Sequence, residues 1–165
     1  MLIRRVQSSP RLPCYMNRHL VAAVLTLASC TIPTYDLDAI VIHGSPEAVD
    51  ILSAAVTRLG GSVGETGRSV EVDDQRAYCV VTNTYSSLAI TTGRNIHLCA
   101  VWQHADEATR RRSLWHELGH VFGAGHSLSP QDLMYAIPRT SVNDYTEADV
   151  SQMCGSGVVR GGVCD

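Results

Sequence analysis

The sequence predicts a single α/β (α+β) domain, on three observations. Its 165 residues suit one domain by length. With 45% hydrophobic residues and a formal net charge of −3, it can bury a core and is not a disordered chain. β-branched and apolar runs alternate with stretches of helical period, in the order strand, helix, several strands, helix, loop, helix.

Residues 35–43 alternate and then run apolar, which predicts a strand that Gly44 ends. Ser45-Pro46-Glu47 opens a helix with a capping serine, a proline at the first position and an early acid. Ala48, Leu52, Ala55 and Leu59 follow at helical spacing, and Gly60-Gly61 stops the run. Residues 62–68 are a glycine-rich loop and 69–72 a short strand. Residues 77–82, 87–92 and 95–102 read as three more strands, the last two separated by Gly93-Arg94. A helix is expected over residues 106–122, with Asp106 and Glu107 at its positive end and Leu114, Leu118, Val121 and Phe122 as its core stripe. Thr146-Glu147-Ala148-Asp149 has the form of a capping box and opens a last helix to about Met153. Residues 155–163 are glycine-rich.

Composition excludes several partners. All 13 basic residues are arginines and they are outnumbered by 16 acids, so nothing points to nucleic acid. Nine aromatic residues make a stacking surface improbable.

Residues 1–30 are expected to be a signal-peptide region. Met16-Asn17-Arg18-His19 is followed by an apolar run of ten residues, 20–29, and by Cys30. A spanning helix needs about 20 apolar residues, so this run is too short to be one. Leu27-Ala28-Ser29-Cys30 resembles the lipobox of bacterial lipoproteins, which makes Cys30 the candidate lipidation site; simple cleavage of a secretory signal is the alternative. Residues 1–15 sit badly ahead of such a signal, so Met16 is a candidate start. The working domain is then residues 31–165, which hold nine arginines and all 16 acids for a net charge of −7. Membrane attachment would come only through the lipid, and the protein is expected to be monomeric, in the bacterial cell envelope or secreted or periplasmic. Export makes disulfides expected among Cys79, Cys99, Cys154 and Cys164; of three possible pairings, Cys79–Cys99 and Cys154–Cys164 are favoured, with free buried thiols as the alternative.

The chemistry lies in His116-Glu117-Leu118-Gly119-His120-Val121-Phe122-Gly123-Ala124-Gly125-His126. His116 and His120, four apart on a helix, share one face. Gly123 permits the sharp turn that returns His126 toward them. Three neutral imidazoles leave a fourth zinc position open to water, as in a catalytic site. A random match to H-E-x-x-H-x-x-G-x-x-H arises on the order of once in 10⁵ chains.

This segment resembles the metzincin superfamily of zinc metalloproteases. Ser127 directly after the third histidine, and the run Leu133-Met134-Tyr135, are similar to the matrixin branch. The resemblance implies a twisted mixed five-stranded sheet with an antiparallel edge strand, a backing helix, an active-site helix, a Met-turn and a C-terminal helix. It implies one catalytic Zn²⁺ held by His116, His120 and His126, with Met134 as the Met-turn floor. Glu117 would be the general base, acting through a zinc-bound water to hydrolyse peptide bonds. Leu88, Ala89 and Ile90 of the edge strand would bind an extended protein or peptide substrate by strand addition. Neighbouring third and fifth strands would put Cys79 near Cys99. The acidic residues that follow the strand of His97 in vertebrate matrixins are replaced by Cys99-Ala100-Val101, so His97 is expected to be structural or solvent-facing and no second zinc is expected. The alternative function is a zinc-containing peptide-binding surface lipoprotein that does not cleave, against which Glu117 argues.

Overall fold

The computed structural model describes residues 34–73, 87–137 and 141–165, all within the unit Thr31–Asp165. Cys30, Cys79 and residues 77–82 lie outside the described residues.

The strand expected over residues 35–43 is broken in two. β1 (Tyr35–Asp36) ends in a 3-10 turn, Leu37–Ala39, and β2 (Ile40–His43) begins after it. The Asp36 carboxylate accepts the Asp38 N–H at 3.2 Å, a local bond that competes with strand pairing. The turn drops Leu37 into the core. β1 thereby leaves the main sheet and pairs in parallel with β6 (Val159–Arg160), with Tyr35 opposite Val159. β6 lies in the glycine-rich stretch 155–163, for which no strand was expected; two residues paired across most of the chain leave no local pattern to read.

α1 (Pro46–Arg58) starts as its sequence dictates, with the Ser45 hydroxyl accepting the Ala48 N–H at 3.3 Å and Pro46 in the first turn. Ala48, Leu52, Ala55 and Val56 are its buried face. Gly60, at φ 76°, takes the left-handed conformation that ends the helix.

The main sheet is mixed. Among the described residues it has four strands in the order β2, β3 (Arg68–Asp73), β5 (Asn95–Leu98), β4 (Ala89–Thr92). β2, β3 and β5 run parallel, and β4 returns antiparallel at the outside of the order, with Thr91 opposite Ile96. The strand expected over residues 95–102 stops at Leu98. A 3-10 turn, Ala100–His104, replaces its second half and turns Trp102 into the core. An indole buries more than 150 Å², and that burial outweighs extending the strand by four residues.

α2 (Glu107–Val121) is capped by Asp106, whose carboxylate accepts the Thr109 N–H at 2.8 Å. Leu114, Leu118, Val121 and Phe122 are all buried, and α2 packs against α1 and against the β4–β5 side of the sheet. The Trp115 indole N–H donates to the Ile51 carbonyl at 3.0 Å and fixes the two helices in register. α3 (Glu147–Gly155) opens with the capping box of Thr146 and Asp149. A Cys154–Cys164 disulfide ties its end to the C-terminus. Cys99 is also disulfide-bonded. No helix among the described residues is long and apolar enough to cross a membrane.

Candidate metal centre

Helical spacing puts His116 and His120 on one face of α2. Gly123, at φ 90°, turns the chain sharply after Phe122, and His126 comes back to the same point. The Nε2 atom of His120 lies 3.1 Å from that of His116 and 3.2 Å from that of His126. All three ligand atoms fall within 4.8 Å of one another.

Backbone carbonyls orient two of these rings. His116 Nδ1–H donates to the Leu133 carbonyl at 2.8 Å, and His120 Nδ1–H donates to the Ala124 carbonyl at 2.9 Å. A carbonyl can only accept, so the proton sits on Nδ1 and the Nε2 lone pair is left for a metal. Burial pushes the His116 pKa down to about 4, and burial also lowers that of His120. Both rings are neutral at pH 7, the form that ligates. Three converging imidazole lone pairs repel unless a cation sits between them, and this donor set suits zinc.

The same shifts predict how the metal-free protein responds to acid. A histidine pKa depressed on folding gives stability that is complete above the unfolded value of about 6.5. That stability is lost as pH falls toward about 4, where His116 charges in place. The melting temperature of the metal-free protein should therefore drop between pH 6.5 and 4, and by less in His116→Gln. An unchanged pH slope in that variant would refute the assignment.

Glu117 follows His116 and is also buried. Its Oε2 accepts the Thr91 hydroxyl at 2.7 Å; the same hydroxyl lies 3.0 Å from the Glu117 carbonyl oxygen. Burial raises the Glu117 pKa to about 7, with the Thr91 bond opposing that rise. A carboxyl poised near neutrality can both take and return a proton. Thr91 is a residue that sequence reasoning missed. Period-2 alternation from Ala89 along β4 is the signal that would have placed it on the side facing α2.

The floor is a turn carrying Met134. Met134 is fully buried against Gly119, where any Cβ would overlap its Sδ. Gly119 is thus required between the two helical histidines for close approach, not for flexibility. Gly119→Ala gains up to ~1 kcal/mol of helix propensity but loses ~1–3 kcal/mol to overpacking. Stability should change little while zinc affinity falls about tenfold, since Met134 must move. Competition with a chelator of known affinity checks this.

A network of buried carboxylates holds the turn. Ser127 N–H donates to the Met134 carbonyl at 2.8 Å, one residue after the third histidine. The Ser127 hydroxyl donates to Asp132 at 2.5 Å and the Thr146 hydroxyl to the other Asp132 oxygen at 3.0 Å. Asp149, fully buried, accepts the N–H groups of Leu133, Met134 and Thr146 at 3.0, 3.2 and 2.9 Å. The sequence marked Asp149 only as a capping residue, which it also is.

These groups line a cleft of about 520 Å³. Leu88, Ala89 and Ile90 form part of its wall, Leu88 just ahead of β4 and the other two within it. Glu117 and all three histidines face the same cleft. His97 lies elsewhere, buried in β5, with Nδ1 2.6 Å from Asp73 and Nε2 2.6 Å from the Thr92 hydroxyl.

Residues 50–126, under half of the chain, match the family described as eCIS core domain. Among curated proteins none is similar to the chain in sequence. Among solved structures, archaemetzincin from Methanopyrus kandleri is similar at a TM-score of 0.46 and 14% identity, over 79% of this chain and 98% of that one.

Proposed function

We propose that the protein is a zinc-dependent endopeptidase of the metzincin type, with matrixin-like features in Ser127 and Met134. The observation that carries this reading is the convergence of three imidazoles, two of them oriented by backbone carbonyls, beside a buried carboxylate in one cleft. His116, His120 and His126 would hold one zinc ion. When bound, zinc would polarise the scissile carbonyl and acidify water.

The chain's own residues do the rest. Among the described residues the antiparallel strand β4 is outermost in the sheet, and its edge would seat an extended peptide by strand addition along Leu88, Ala89 and Ile90. Glu117 accepts a proton from the attacking water and hands it to the leaving amine. Thr91 fixes the carboxylate that does so, because its hydroxyl bonds Oε2. No side chain attacks, so no acyl-enzyme forms. Incubating zinc-loaded protein with a denatured protein mixture, with and without chelator, should give chelator-sensitive cuts within chains. Retention of one zinc with no cut in any substrate would favour a peptide-binding module that does not cleave.

We further propose that Cys30 is lipidated and holds residues 31–165 at a bacterial membrane, on the lipobox-like run 27–30. Metabolic labelling with a fatty acid should mark the protein, and Cys30→Ser should release it from membranes. Absence of label on the wild-type protein would sink this idea.

A further inference from the structure

α3 grips the metal centre at both of its ends. At its start, Asp149 holds the turn of Leu133 and Met134, and the Leu133 carbonyl orients His116. At its finish stands Ser156, half-buried, directly against the turn that follows α2. Its hydroxyl lies 3.0 Å from the Phe122 carbonyl oxygen and 2.6 Å from that of Met153, so one proton serves both. The same oxygen accepts the Val158 N–H at 3.0 Å. Gly123 packs on this cap: a Cβ there would come within 2.6 Å of the Ser156 Oγ and 3.0 Å of a Val158 methyl group. The Cys154–Cys164 disulfide begins just before Ser156 and fastens the cap to the C-terminus. Ser156 is not part of the cleft wall, so it reaches the chemistry only through the turn.

That turn serves two of the three ligands. The Ala124 carbonyl orients His120, and the chain leaving Ala124 carries His126. His126 is exposed, and no group among the described residues bonds its Nδ1, so the path of the backbone alone aims it. We infer that Ser156 is a positioning residue of the metal centre, which aims His120 and His126 through the Gly123 turn. The inference rests on the metal site of the peptidase reading above. The Phe122 carbonyl belongs to the peptide group that enters Gly123. As one of the last carbonyls of α2 it has no partner within the helix, so the group that satisfies it from outside sets the tilt of that peptide. Without the hydroxyl this carbonyl turns to water and the peptide group gains freedom to rotate. The two imidazoles tied to the turn then meet an ion in poorer geometry. His116 is spared, because its partner carbonyl is held from the opposite end of α3.

The test uses the full chain with zinc alone as the probe. Competition with a chelator of known affinity should show zinc bound about tenfold more weakly in Ser156→Ala, the usual cost of losing a group that orients metal ligands. Histidine-ring NMR signals of the zinc-loaded variant should move for His120 and His126 and stay in place for His116. Val158→Ala, which trims the other contact on the turn, should move the same two rings and serves if Ser156→Ala does not fold. A zinc affinity equal to wild type in Ser156→Ala would overturn the inference. So would a shift of His116 as large as those of the other two, which marks a general loosening of the fold. Wild type that holds zinc and cleaves nothing would sink the peptidase reading alone, and wild type that holds no zinc would sink both.

Discussion

Glu117→Ala should leave one zinc bound and slow peptide hydrolysis roughly 10²–10⁴-fold, the usual share of a positioned general base. The carboxylate is not needed to assemble the three imidazoles, which are oriented by the carbonyls of Leu133 and Ala124 and by the Gly123 turn. His120→Ala should behave differently, because His120 is the ring whose Nε2 lies close to both others. It should lose metal and hydrolysis together. Zinc content and peptidase rate are to be measured on the same samples. If Glu117→Ala hydrolyses as fast as wild type, the assignment of the base is wrong, whatever the metal content shows.

Asp149→Ala should be the most destabilising substitution outside the metal ligands. It strips the acceptor from three backbone N–H groups, those of Leu133, Met134 and Thr146, around a carboxylate that water does not reach. Each orphaned buried donor costs ~1–3 kcal/mol, and partial relaxation keeps the total at about 3–5 kcal/mol. That loss is a large fraction of a typical domain's stability. The effect should also reach the metal. Asp149 Oδ1 accepts the Met134 N–H, and the same peptide group offers the Leu133 carbonyl to His116. A peptide group polarised by a carboxylate on one side is a better acceptor on the other, so His116 is held through it. Zinc affinity in Asp149→Asn, which keeps the shape and loses the charge, should fall about 10–100-fold. Chemical denaturation and chelator competition check the two parts separately. An affinity equal to wild type in Asp149→Asn would refute the coupling.

What could be read from the sequence was whatever is written over short spans. α1 and α2 carry their own start signals, Ser45-Pro46 and Asp106, and their own apolar period, so their bounds fall within a residue or two of expectation. The histidines were legible for the same reason: eleven residues and one glycine turn bring them together. The misread strands fail at tertiary events. Leu37 and Trp102 leave their strands because the core lies to one side, and no propensity in residues 35–43 or 95–102 records where the core will be. Thr91, Asp132 and Asp149 act across the fold, Thr91 on a carboxylate 26 positions away and Asp149 on an N–H 16 positions away. A threonine on a strand and an acid in the first turn of a helix are ordinary surface patterns until their neighbours are known.

The pairing of β1 with β6 ties the fold to the order in which the chain is made. Tyr35 meets Val159, and Asp36 meets Arg160 with a 3.1 Å ion pair, so the first and last of the described strands close on each other. Loop closure over that separation must be met before any contact rewards it, which makes this pair a late event in folding. A chain emerging N-terminus first cannot complete it until Val159 and Arg160 are free. Cys164 adds a second condition, since its disulfide to Cys154 needs an oxidising compartment. The metal ligands are all in place in the chain well before Val159 appears, yet the Met134 turn beneath them leans on α3, whose end the disulfide secures. The domain therefore closes at its ends last: a truncated or reduced chain carries every ligand and lacks the frame that keeps them aimed.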